Sequence, residues 1–439
     1  MSASPTGGPS HILVIGAGFA GLYAAMGLKG AVAAGHGVTV INQESFFQYQ
    51  PFLPEVASGT IDPRAAVVPL RRVLNHCRIV IGEVTRVDHR MREAYVRTAR
   101  GDERTIGYDI VVLAPGSRSR VLPVPGLAEH GIGFKTIQEA IHLRNHVLAR
   151  LDVAASETDA TRRRAALTFV FVGGGYAGVE ALGELEDLAR DAIGSYRDVD
   201  VSEMRWVLVD AADRILPELP EELASYAQEL LQQRRIEIKL RTRLDSAEGG
   251  VIHLSDGEAF PAETLVWTAG VKPSPLARES ALPVDEHGRL LVDRSLRVEG
   301  VEGAWGAGDA AAVPDDTTGG LSPPTAQHGL RQGKRVAANI EAVLAGRPLQ
   351  PFVYANIGGV CSLGRYKGVA TVKGLRFKGF LGWFLHRSYH LLAMPTWTRR
   401  VKIAMDWTVA LLFPRDLAQL GSLGRPREPF ERASGDQPS

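Results

Sequence analysis

Two triplets of glycine stand out by their spacing: Gly16, Gly18 and Gly21 in HILVIGAGFAGLYAAMGL, and Gly173, Gly175 and Gly178 in FVFVGGGYAGVEALGEL. Each follows a β-branched strand pattern and opens a helical one, the context that gives GxGxxG its meaning. The first glycine of such a loop makes the tight turn, and the second lets backbone approach a pyrophosphate. The third lets helix pack on strand, and the helix N-terminus faces the phosphate charge. Both loops therefore read as dinucleotide sites.

An acidic residue at the end of the next strand would hold a ribose hydroxyl. In the second unit it is Asp210, in RWVLVDAADRILP, whose carboxylate accepts from a 2′-OH and repels a 2′-phosphate. That favours NADH over NADPH, with nearby Arg214 moderating the preference. In the first unit the position holds Asn42, with Glu44 two residues on, and an amide still hydrogen-bonds a ribose. Two different dinucleotides explain the duplication: FAD on the first loop, NADH on the second, with the flavin relaying electrons. Asp309, in VEGAWGAGDAAAVP, follows a strand and a glycine turn, resembling the Asp that in two-dinucleotide flavoproteins meets the flavin's ribityl and phosphate region; the alternative is a capped helix start. No Ser–His–Asp, paired-carboxylate or metal constellation is needed. Cys77 and Cys361 are the only cysteines, in no CxxC spacing, which argues against a disulfide or zinc centre. His386 and His390 lie four apart without an acidic partner in sequence and read as structural or interfacial, not as metal ligands.

The elements that position these residues follow α/β layering. Strand His11–Ile15, a turn over Gly16–Gly21, a helix from about Leu22 and strand Val38–Ile41 are matched by Leu167–Val172, Gly173–Gly178, a helix from about Val179 and Trp206–Val209. YDIVVLAPGS (108–117, with Gly116 in its turn) and ETLVWTAGV (263–271) extend the repeat. The fold class expected is α/β, with two Rossmann-like dinucleotide-binding domains and a C-terminal amphipathic helical membrane-associating region. The FAD domain is discontinuous, over 10–125 and 276–350; the NADH domain, 126–275, is inserted; the C-terminal region covers 351–422. Residues 1–9 and 423–439 read as polar flexible tails.

Lys plus Arg number 50 against 49 Asp plus Glu, so no global charge points to nucleic acid. The N-terminus lacks an apolar leader and no uncharged apolar run reaches 18 residues, so a cytoplasmic, peripheral location is expected.

Taken together the residues resemble type II NADH dehydrogenases, the single-subunit NADH:quinone oxidoreductases of the two-dinucleotide-binding flavoprotein superfamily. The resemblance spans roughly residues 10 to 420. It rests on GAGFAG, FFQYQPFLPEVASGTID (46–62), APGS, GFKTIQEAIHLRNHV (133–147), GGGYAGVE, TAGVKPSPLA, GAGDAA, PPTAQHGLRQGKRVAANI (323–340) and GLRFKGFLGWFL (374–385). It implies FAD on Gly16, Gly18, Gly21, Gly116 and Asp309, and NADH on Gly173, Gly175, Gly178 and Asp210. Glu180 is implied near the nicotinamide, the alternative being a helix-dipole partner in the first turn. Gln327 is implied beside the flavin ring, where a membrane quinone arrives. Arg331 departs from the family's Gln-Gln-Gly and would either stabilise an anionic reduced quinone or be a surface charge.

From Lys373 to Asp416 three tryptophans (Trp383, Trp397, Trp407) accompany eight bases and two acids. Aromatics, leucines and bases at helical intervals suit helices lying in a membrane interface, on the cytoplasmic face of the cell membrane. Packing on the protein itself, or a homodimer contact, is the other use of such helices. The rival functions are a soluble NAD(P)H-dependent reductase of a ferredoxin-like carrier or oxygen, and an FAD/NADH-binding redox sensor.

Overall fold

A computed structural model describes residues 8–419; the expected C-terminal tail and the first seven residues of the N-terminal one lie outside that range. The first sheet carries β1 (His11–Ile15), β2 (Gly37–Asn42), β3 (Arg78–Asp88), β4 (Glu93–Thr98), β5 (Glu103–Gly107) and β6 (Ile110–Leu113). Its order is β6-β1-β2-β3-β4-β5, and the strand Ala304–Gly306 joins beyond β6. Pairing is parallel from Ala304–Gly306 through β3 and antiparallel beyond it. The second sheet is wholly parallel. It orders β7 (Gly131–Gly133), β8 (Thr168–Val172), β9 (Arg205–Val209), β10 (Ile236–Lys239) and β11 (Thr264–Trp267) as β7-β11-β8-β9-β10. The apolar runs of β1, β6 and β8 are buried almost throughout, as expected of central parallel strands covered on both faces.

Helix α1 (Phe19–Gly27) begins directly after Gly18, and the corresponding helix of the second unit directly after Gly175. Both start about one turn earlier than the sequence suggests. The third glycine of each loop is not part of the turn but lies in the first turn of the helix. A Cβ on Gly21 would fall inside the carbonyl oxygen of Gly16, and one on Gly178 inside that of Gly173.

Downstream come α2 (Leu53–Ala57), α3 (Ile137–Ser156), α4 (Tyr176–Ile193) and α5 (Ala326–Leu344). Helix α5 crosses α1 at backbone contact. A Cβ on Gly333 would overlap Ala20 O, and one on Gly27 would stand 2.6 Å from Ala337 Cβ. The chain closes with an antiparallel sheet, β12 (Gly358–Ser362), β13 (Gly368–Val372) and β14 (Leu375–Lys378), and two helices, α6 (Gly379–Ala393) and α7 (Trp397–Leu412). Helix α6 seats on β13, where a Cβ on Gly368 would stand 2.7 Å from Trp383 N.

The two closing helices each have two faces. Trp383, His386, Arg387 and His390 are buried, while Phe380, Leu381, Phe384 and Leu392 on the same helix are exposed. On α7 only Ile403 is buried, and Trp397, Met405, Leu412 and neighbouring Phe413 are open to solvent. Among the described residues no helix is long and apolar enough to cross a membrane.

The α1–α5 crossing leaves no room for a methyl group. Gly333→Ala should cost about 3 kcal/mol, at the upper end of overpacking effects because the obstacle is backbone. Denaturant unfolding would register it as a lower midpoint with an unchanged slope.

Candidate active site

Gly16 (φ +90°) and Gly173 (φ +120°) occupy backbone conformations that favour glycine. Their amides donate to Ile41 O at 2.8 Å and Val209 O at 2.9 Å, tying each turn to the neighbouring strand. By contrast a Cβ on Gly18, Gly175 or Gly116 would meet nothing within 4 Å. Those faces are open to a ligand's approach, which is what a pyrophosphate cradle requires.

Asn42 and Asp210 play matching parts. Asn42 Oδ1 accepts from Ala17 N at 2.9 Å, and its amide donates to Glu44 O at 2.8 Å. Asp210 accepts from Gly174 N through one oxygen and from Ala212 N at 2.7 Å through the other. Each side chain braces the glycine loop of its own unit, a role the ribose reading did not include. A carboxylate with about four lone-pair sites retains capacity for a ribose hydroxyl as well.

Asn42, Gly16 and Glu44 line a cavity of 570 Å³ that runs to Ser117 and Ser274. A second cavity, of 180 Å³, begins at the same Ser117 and passes Asp309, Ser322, His328 and Gln332. At the junction Ser117 Oγ donates to Asp309 Oδ2 at 2.5 Å, and Lys135 Nζ donates to Ser117 Oγ at 2.9 Å. Burial pushes the Lys135 ammonium down, and Asp309 and Glu139 oppose that. Gly308 N donates to Gln332 Oε1 at 2.8 Å, fixing the turn that carries Asp309. Lys135 and Ser117 were not singled out from sequence. Both lie in quoted segments, GFKTIQEA and APGS, but nothing local marks a lysine that will be joined through Ser117 to an aspartate 174 residues away.

Gln327 and Arg331 come together on α5. Tyr354 OH donates to Gln327 Oε1 at 2.7 Å, Arg331 Nη1 donates to Gln327 O at 2.9 Å, and the guanidinium lies 4.1 Å over the Tyr354 ring. Arg331 is thus fixed and half-buried, not a free surface charge. Burial raises the Tyr389 phenol, with Arg331 opposing.

Glu180 is in the second turn of α4, and it is buried. The first-turn dipole reading is therefore replaced. Its Oε1 accepts from Ser362 N at 2.9 Å and stands 3.0 Å from His386 Nε2. His386 and His390 pack ring against ring at 4.6 Å, and His390 Nδ1 meets Tyr49 OH at 3.0 Å. Tyr49 lies 5.5 Å from Phe19, which follows Gly18 in the first loop. The chain from Glu180 to Tyr49 thus links the two glycine-loop units. Among the described residues no group of three His, Cys, Asp or Glu side chains is arranged to hold a metal.

The profile of the pyridine nucleotide-disulphide oxidoreductase family matches residues 10–333. The type II NADH:quinone oxidoreductase Ndh of Mycobacterium tuberculosis is 31% identical over 94% of this chain and 90% of its own. The type II NADH:quinone oxidoreductase of Staphylococcus epidermidis is 32% identical over 86% of this chain and 93% of its own. Among solved structures, NDH2 from Plasmodium falciparum in complex with NADH superposes with a TM-score of 0.87 at 16% identity, over 94% of this chain and all of that one.

A disulphide-reducing centre needs reactive thiols, and this chain has none of that kind. Burial pushes the Cys77 thiol up to about 12, and Cys361 is buried and shifted the same way. Because the thiolate is the nucleophile, Cys77 should react with iodoacetamide at pH 8 about 1000-fold more slowly than free cysteine. Cys361 should react only after unfolding. Alkylation of either at the rate of a free thiol, followed by mass spectrometry, would refute this.

Proposed function

The chain belongs to the pyridine nucleotide-disulphide oxidoreductase family and, within it, to the type II NADH:quinone oxidoreductases, and we propose that it oxidises NADH through bound FAD and reduces a membrane quinone. The observation that carries this reading is the pair of glycine loops with the same backbone constraints, each braced by a side chain at or just after the end of its second strand. FAD supplies the hydride acceptor and the two-electron store when bound. The first loop, Gly116 and the Lys135–Ser117–Asp309 chain fit its pyrophosphate and ribityl groups: the glycines present open backbone, and Asp309 is held in one orientation. The second loop and Asp210 fit NADH.

This chain's own groups orient the reactants and shape the field around them. Gln327, held by Tyr354, presents a fixed amide at the start of α5. Arg331 places positive charge beside it, suited to the anionic character a quinone gains as it is reduced. Glu180 lies on the NADH-side helix, shielded from bulk water.

The exposed apolar faces of α6 and α7, with Arg399, Lys402 and other bases around them, suit an anionic membrane surface on the cytoplasmic side. Burial of the opposite face of α6 means that this helix both packs on the protein and offers an outer surface. A second copy of the chain covering that surface is the competing occupant.

Purified protein should oxidise NADH rapidly when given a short-chain ubiquinone or menaquinone. Flavin that bleaches with NADH while every quinone stays oxidised would overturn the reading. Gly178→Ala should retain FAD but lose NADH binding, as followed by the flavin spectrum during NADH titration. Trp397→Gln combined with Leu412→Gln should weaken co-sedimentation with anionic vesicles about 100-fold, from the lost burial of two large apolar side chains. Turnover with a water-soluble quinone should persist. A shift from dimer to monomer with vesicle binding intact would assign the face to a second copy instead.

A further inference from the structure

Between α6, α7 and the turn joining β12 to β13 lies a third cavity, of 10 Å³. That is room for a single oxygen-sized atom. Its wall residues include Arg365, Arg387, Arg415, Trp383 and Trp407, and among the described residues no Asp or Glu. Thr60 adds a buried hydroxyl, bonded to Ser58 Oγ at 2.8 Å. Arg387 and Trp383 are 8% and 6% exposed, yet Arg387 Nε and Trp383 Nε1 have no acceptor in the protein. A site whose side chains bring mostly donors selects an acceptor, and with guanidiniums among them an anionic one.

Two of the three arginines are answered by carboxylates. Arg387 Nη2 stands 3.4 Å from Glu55 Oε2, and its guanidinium lies 4.2 and 4.8 Å from the ring centres of Trp383 and Trp407. Burial pushes the Glu55 carboxyl up, with Arg387 opposing. Arg415 stands 4.0 Å from Glu184 and 3.3 Å from Asp191. Arg365 is the exception. Its Nη2 donates to Ala410 O at 2.5 Å near the end of α7, and its guanidinium lies 5.1 Å over the Tyr366 ring. Among the described residues that guanidinium pairs with no carboxylate. Asp187 takes only the backbone amide of Arg365, at 2.5 Å, and its charge is shared by Arg234 and Lys367. The turn that presents Arg365 is strained, because Tyr366 has φ +64°, a conformation that favours glycine. The Tyr366 ring packs 5.1 Å from Trp383 and 6.4 Å from Phe380. Phe380, Phe384 and Leu411 belong to the exposed apolar faces of α6 and α7, and Leu411 is also a wall of the cavity. The unanswered guanidinium thus borders the apolar faces.

We propose that this cavity is a specific site for the headgroup phosphate of an anionic glycerophospholipid. The proposal rests on the membrane reading of α6 and α7 above. One phosphate oxygen enters the cavity, Arg365 pairs with the group at its mouth, and the acyl chains lie along Phe380, Phe384 and Leu411. A guanidinium suits the part, since its planar fork meets phosphate with two parallel N–H bonds. Free phosphate shares the headgroup's charge and oxygens but leaves the exposed apolar side chains uncovered, so the lipid is the better match. Such a site holds one lipid in place, which the diffuse attraction of bases for an anionic surface does not.

Trp383 and Trp407 line the site, so tryptophan emission of the full-length holoprotein reports its occupancy. Dihexanoyl phosphatidylglycerol, kept below its micelle-forming concentration at constant ionic strength, should give a saturable single-site change. Inorganic phosphate over the same range should give none. Arg365→Gln should weaken the lipid's Kd about 10-fold, the loss of one charge-assisted contact, while turnover with a water-soluble quinone stays at the wild-type rate. Arg365→Lys keeps the charge without the fork; it should bind with an intermediate Kd, and it decides the matter if the glutamine variant does not fold. Phosphate reproducing the change at the lipid's Kd would overturn the lipid as occupant. No saturable change with either probe, or variants that bind as tightly as wild type, would overturn the site and leave the cavity to water. Anionic vesicles separate this from the reading it rests on. Vesicle binding without saturable short-chain binding would sink the site alone, whereas a wild type that ignores the vesicles would sink the membrane reading.

Discussion

Backbone-to-backbone contact governs this molecule. In both glycine loops the helix sits so near the strand end that its third glycine touches the carbonyl of the first. No side chain could intervene, so helix axis, strand end and open second glycine are set as one unit. The same device recurs where α5 crosses α1 at Gly333 and where α6 meets β13 at Gly368. These crossings carry Gln327, Arg331 and His386 to their places. The site therefore owes its geometry to packing at distances only glycine permits, more than to its polar contacts.

Charge is the second theme, and it follows from the first. Close packing of α4 on the segment after β12 buries Glu180, Glu184, Glu186 and Asp187 on one helix. Glu186 and Asp187 share Arg234, and Arg190 and Lys367 complete their neutralisation. A helix this acidic stays inside only because cations from three other segments converge on it. That convergence ties the C-terminal part of the chain to the second glycine-loop unit, so the region with the exposed apolar faces is not a loose appendage.

The strands and glycine turns were legible because their signals are local. β1 runs from His11 to Ile15 as its apolar run implies, and Asp210 directly follows the second strand of its unit. What sequence could not supply were meetings across the fold. Tyr49 with His390 joins residues 341 apart, and Glu55 with Trp407 joins residues 352 apart; no periodicity records either. Arg331 was ambiguous for the same reason, since its fate depends on Tyr354 arriving above it. The helix starts were misplaced because a third glycine looks like turn in sequence and acts as a packing face in space.

The bracing role of Asp210 bears on any attempt to redesign nucleotide preference. Deleting its carboxylate, on the ribose role proposed for it, would also remove the acceptor that holds Gly174 N, so Ala or Gly there would leave the loop slack. The first unit already contains the remedy. Asn42 holds the equivalent amide with a neutral oxygen, which makes asparagine the substitution that discards charge while keeping the scaffold taut. The repeated unit gives the chain its own template for that exchange.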